Sequence, residues 1–181
     1  MRVYDWNVHS WEDNFVTNVE LVLVRHAIAE ERREGLPEAE RALTERGRER
    51  FRKLLVGYAK LGVRPTAILS SPWTRASETA ALFKRHYPDA TYGSLDGLAR
   101  PPDHALVRRL SELSDTSTVL IGHEPWLSQL CGFLTIGRFD SSVRLKKGGL
   151  IWLRGHPTAG GMLIQIMLAP ALTLKLLDTQ G

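Results

Sequence analysis

Leu21-Val22-Leu23-Val24-Arg25-His26-Ala27 is the stretch on which the reading of this chain turns. Four apolar residues in succession read as a buried strand. The pair Arg25-His26 falls where that strand should stop. Ligands of open α/β sheets bind at the carboxyl ends of strands, so the pair marks a candidate site. An imidazole beside a guanidinium suits phosphoryl transfer: the ring attacks phosphorus while the guanidinium grips phosphate oxygens in a fork. Taken alone, a strand-end histidine beside an arginine is more often a surface feature. The reading gains weight from two later segments of matching chemistry, Ser71-Pro72-Trp73-Thr74-Arg75-Ala76 and Gly122-His123-Glu124-Pro125.

Outward from this stretch, strands and helices alternate. Residues 19–25 form the first strand. Phe51, Leu54, Leu55, Tyr58 and Leu61 recur at helical period over residues 44–61, with Thr44 as N-cap and Gly62 as the stop. Thr66 to Leu69 reads as a short buried strand. Ser71 then reads as an N-cap with Pro72 in the first helical position, opening a helix that runs to about Arg85. Asp103 caps another helix, with Leu106, Leu110 and Leu113 on one face. Thr118 to Ile121 is an apolar strand ending at Gly122, and Pro125 starts a helix through Trp126, Leu127 and Leu130. Residues 149–154 and 162–168 read as two strands around a glycine-rich turn. This order predicts a three-layer α/β/α sandwich with a mainly parallel central sheet and some antiparallel pairing near the end. The expected organisation is an N-terminal extension over residues 1–18, docked or disordered, followed by a single domain over 19–181.

Composition narrows the partners. The 181 residues are 43% hydrophobic and 24% charged, ordinary for a globular protein. A single cysteine, Cys131, excludes an internal disulfide, leaves no cysteine cluster for zinc and fits a reducing compartment. No apolar run approaches the roughly 20 residues of a membrane span, and the first 18 residues lack the pattern of a signal peptide. The expected location is the cytoplasm, with no membrane partner. The formal charge of +4 is uneven, because residues 1–18 hold one basic and three acidic side chains. Arg46, Arg48, Arg50, Arg52 and Lys53 interleave with Glu45 and Glu49 as a solvated, ion-paired helix face, so nucleic acid is not the expected partner. An acidic or phosphorylated partner uses the excess better.

Together the segments resemble the histidine phosphatase superfamily, of phosphoglycerate-mutase-like fold, and within it the small SixA-type phosphohistidine phosphatases. The resemblance covers about residues 19–175. It rests on Arg25-His26-Ala27, Leu43-Thr44-Glu45-Arg46-Gly47, Ser71-Pro72 with Arg75-Ala76 and Thr79, Gly122-His123-Glu124-Pro125 and Lys147-Gly148-Gly149. It implies His26 as nucleophile, Arg25 and Arg75 as phosphate ligands that also lower the His26 pKa, and His123 as a donor to the transferring group. It implies no metal and no other cofactor, with fixed cations in place of one. His9, His86, His104 and His156 lack a partner motif and are read as structural, while Trp73 and Trp126 are placed at the border of the cleft.

Two departures from the family pattern bear on substrate. Ala27 replaces the glycine that often follows the Arg-His pair. Gly97 stands where many members present the carboxylate that protonates the leaving oxygen, leaving Asp96 and Asp103 as possible acids, neither assigned. A phosphoramidate needs such an acid less than an alkyl ester does. The expected activity is therefore removal of phosphate from phosphohistidine on a partner protein, with inorganic phosphate as product. The alternatives are a small-molecule phosphomonoesterase acting on a sugar or nucleotide phosphate, and a catalytically silent phosphate-binding module on the same fold.

Overall fold

The computed structural model describes residues 19–113, 117–140 and 143–178; the expected extension over 1–18 lies outside them. Six strands form one sheet: β1 Val19–Arg25, β2 Ala67–Ser70, β3 Thr91–Ser94, β4 Ser117–Gly122, β5 Leu150–Gly155 and β6 Met162–Leu168, in the order β3-β2-β4-β1-β5-β6. The β3-β2, β2-β4 and β4-β1 pairs are parallel, and β5 runs antiparallel to both of its neighbours. Five helices cover it: α1 Glu45–Lys60, α2 Thr74–His86, α3 His104–Ser111, α4 Trp126–Ile136 and α5 Pro170–Asp178.

Period-two alternation explains the layering. In β1, Val22 and Val24 pack with Phe51, Leu55, Tyr58 and Phe83 of α1 and α2. Leu21 and Leu23 point the other way, into Leu106, Leu110, Leu127 and Leu130 of α3 and α4. A strand with both faces covered has no polar side to alternate with, hence the unbroken apolar run.

Most expected elements stand where the sequence puts them, with Thr44 and Asp103 both capping through their side chains. The helix expected from Ser71 begins instead at Thr74, with Trp73 extended at its N-cap. Ser71 Oγ still accepts the Trp73 backbone N–H at 3.3 Å, as a cap would, but it also lies 2.8 Å from His123 Nε2. Two elements carry no sequence expectation. Strand β3 is an exposed edge tied to β2, and α5 lies against α1, where a Cβ on Gly57 would come within 2.5 Å of Thr173.

Candidate active site

Three adjacent parallel strands, β2, β4 and β1, end on one edge of the sheet. They deliver Ser71, His123 and Arg25-His26 to the same place. Backbone bonds continue the register past the strand ends: His26 N–H donates to Gly122 O at 3.1 Å, and Ser71 N–H to Ile121 O at 2.9 Å. The first turn of α2 adds Arg75.

His26 and His123 are both buried, their ring centroids 5.2 Å apart. His26 Nδ1 lies 2.7 Å from the Ala27 carbonyl. A carbonyl only accepts, so this nitrogen carries the proton and Nε2 keeps its lone pair. Arg75 Nε–H donates to that lone pair at 3.1 Å. Burial pulls the His26 pKa down to about 2; against the bond to Ala27, the charges of His123, Arg75 and Arg25 add to the fall. Desolvation thus outweighs the arginines to which the sequence reading credits the effect. His123 is pulled down to about 3, by burial and then Arg75, with Glu38 opposing. Both rings are neutral at neutral pH. Trp73 and Trp126 flank His123 at ring-centroid distances of 4.5 and 5.8 Å, and the Arg75 guanidinium lies 4.6 Å over the Trp73 ring.

Arg25, half-buried, donates through Nη1 to Leu145 O at 2.8 Å. Its Nε, Arg41 Nε and His123 Nδ1 are buried without a protein hydrogen-bond partner among the described residues. A buried polar group left this way costs about 1–3 kcal/mol, so several near one cleft favour an anion that accepts from them. Beside Arg25 a cavity of about 430 Å³ opens, lined also by Glu124, Gln129, Asp140 and Arg144.

The two carboxylates named from sequence are placed differently. Asp103 Oδ1 accepts the Leu106 N–H at 2.8 Å, and its Oδ2 lies 3.4 Å from Arg100, so the group serves as a helix cap. Asp96 is exposed and opens the 3₁₀ turn Asp96–Ala99. A Cβ at Gly97 would lie 2.9 Å from Leu106 Cδ1, so core packing occupies the space that an acid there would need.

Sequence reasoning missed Glu38, Arg41 and the second role of Ser71, and it named Lys147 only within the Lys147-Gly148-Gly149 motif. Glu38 Oε1 lies 3.0 Å from Arg75 Nη2 and 2.6 Å from Arg41 Nη2, and its Oε2 is 2.9 Å from Arg32 Nε. Lys147 lies below its ordinary pKa, through partial burial first and then the charges of Arg25, Arg41 and Arg75.

A mixed sheet whose central parallel strands end in an Arg-His pair and a second histidine is the arrangement of the phosphoglycerate-mutase-like fold. Residues 21–99 match the family model described as histidine phosphatase superfamily (branch 1). An uncharacterised protein of Picosynechococcus sp. is 29% identical over 140 residues, which cover 75% of this chain and 85% of that one. SixA from Agrobacterium tumefaciens has the same fold, with a TM-score of 0.70 at 22% identity, over 84% of this chain and 98% of its own. The protein histidine phosphatase SixA complexed with tungstate superposes with a TM-score of 0.69 at 19% identity, over 85% and 99%. A mycobacterial glucosyl-3-phosphoglycerate phosphatase gives 0.61 at 16% identity, over 84% and 99%.

Proposed function

We propose that this protein is a metal-independent phosphatase that works through a phosphohistidine intermediate on His26. The observation that carries the reading is the state of that ring: Nδ1 is tied to Ala27 O, so the unprotonated Nε2 faces the Arg75 guanidinium. Nε2 attacks phosphorus, and the bond to the leaving group breaks as the N–P bond forms. Arg75 and Arg25 take the phosphoryl oxygens. The Ser71 hydroxyl, donating to His123 Nε2, leaves the hydrogen on Nδ1, where it is free to bond a further oxygen. Positioning and fixed positive charge supply the catalysis, as a loose phosphoryl-transfer transition state requires.

The substrate class that fits is phosphohistidine carried by another protein. Strand β3 passes through a single 3₁₀ turn into α3, which leaves the cleft without a cover from that side. Neither Asp96 nor Asp103 is bonded to a site residue, so a leaving group that needs little protonation is favoured. Rates on a graded series of leaving groups test this. Phosphohistidine peptides and phosphoramidate should be cleaved well, aryl phosphates slowly and alkyl or sugar phosphates barely, with Asp96→Asn and Asp103→Asn nearly silent on phosphohistidine. Fast alkyl-ester hydrolysis that falls about a hundredfold in either variant, the loss expected for a general acid, would make the protein a small-molecule phosphomonoesterase instead.

A further inference from the structure

The segment between β1 and α1 is tied off at its base and brings the Glu38 carboxylate to Arg75. An Ala29–Leu43 bridge closes it, with Glu30 N–H on Ala42 O at 2.9 Å and Thr44 N–H on Ile28 O at 3.0 Å. At its far side, the 3₁₀ turn Glu38–Glu40 presents Glu38. Arg75 is shared between this residue and the histidine. Its Nη1 donates to Glu38 O at 2.6 Å, its Nη2 pairs with Glu38 Oε1 at 3.0 Å, and its Nε donates to His26 Nε2 at 3.1 Å. Nε and Nη2 lie along one edge of the planar guanidinium, so His26 Nε2 and the Glu38 carboxylate sit side by side on that edge. A phosphoryl group on Nε2 therefore has this carboxylate as its immediate neighbour.

The carboxylates of Glu124 and Glu78 hold structural contacts. Glu124 accepts from the Ser128 hydroxyl and Leu145 N–H, and Glu78 from Leu43 N–H and Arg48. Glu38 bonds through its side chain to arginines. Burial pushes its carboxyl up, but hydrogen bonds from Arg41 and Arg32 and the charge of Arg75 outweigh this, so it is ionised at neutral pH. An ionised carboxylate is an acceptor of protons rather than a source.

We propose that Glu38 is the general base of the second half-reaction, orienting and deprotonating the water that hydrolyses the phosphorylated His26. The water oxygen bonds to phosphorus as the bond from phosphorus to Nε2 breaks, and the electron pair returns to the ring. The water proton passes to the Glu38 carboxylate and on to solvent. The inference rests on the proposed nucleophile and adds the residue that clears it. A phosphoramidate substrate can thus load His26 without an acid while its release still depends on a carboxylate.

Rapid-quench measurements with radiolabelled phosphoramidate separate the two steps. In Glu38→Gln, the phosphoenzyme should form at close to the wild-type rate, decay about a hundredfold more slowly, as for a lost general base, and so accumulate at steady state. Glu38→Asp, which keeps the base at a shorter reach, should fall between. Unchanged decay in Glu38→Gln would overturn the proposal alone. Equal slowing of formation and decay would also overturn it, making Glu38 an anchor for Arg75. No phosphoenzyme in the wild-type protein would overturn the nucleophile reading and this proposal with it.

Discussion

A histidine attacks phosphorus only when one ring nitrogen is bare, and in His26 the neighbouring carbonyl decides which. With Nδ1 held by Ala27 O and the ring buried, the neutral form persists far below the ordinary histidine range. The sign of the pH effect follows. A lowered pKa keeps the proposed nucleophile competent as pH falls, whereas an ordinary histidine would be mostly imidazolium at about pH 5, a loss of roughly twenty-fivefold relative to about pH 7. The profile of kcat/KM, corrected for the second ionisation of the substrate near pH 6, should therefore stay flat across that range. An acid limb near the free-histidine value would contradict the burial of both rings. His26, Arg75 and His123 were named from the sequence because the family resemblance supplied them, each after a strand end or at the start of a helix. Glu38 was not. It lies in a run of mixed charges, Glu30 to Arg41, which has no periodicity and reads as solvated loop. Only a tertiary contact brings it to Arg75.

At the scale of elements, the site depends on how closely the segment before α1 is seated. A Cβ on Gly47 would come within 2.1 Å of Ile28 O, a backbone atom that cannot step aside alone. Gly47→Ala should force the 28–44 loop away from α1, costing about 1–3 kcal/mol, the usual range for overpacking. It should also lower activity, because the same loop carries Glu38 and Arg41. Urea melts beside turnover assays check both, and a fully stable, fully active variant would show that the loop tolerates the shift. The longer elements were readable from their periods and caps. Strand β3, Thr91-Tyr92-Gly93-Ser94, was not, since an exposed edge strand shows neither alternation nor an apolar run; its backbone pairing with β2 makes it a strand. Leu172, Leu174 and Leu176 of α5 alternate in a strand-like way, which hides a helix defined by its packing on α1.

For the whole molecule, topology does what no local pattern announces. Placing β4 between β2 and β1 brings residues from three distant stretches to one sheet edge, and the strand order had no reading in the sequence. Around that edge Arg25, Arg41, Arg75 and Lys147 concentrate positive charge, which suits attraction of a phosphorylated group. No described helix is long and apolar enough to cross a membrane. The central claim is that this arrangement works by carrying phosphate on His26. Rapid acid-free quenching during turnover, followed by mapping of the labelled protein, tests it most directly. The account predicts acid-labile, base-stable phosphate on His26, with both label and turnover lost in His26→Ala. Turnover at the wild-type rate in His26→Ala would contradict it.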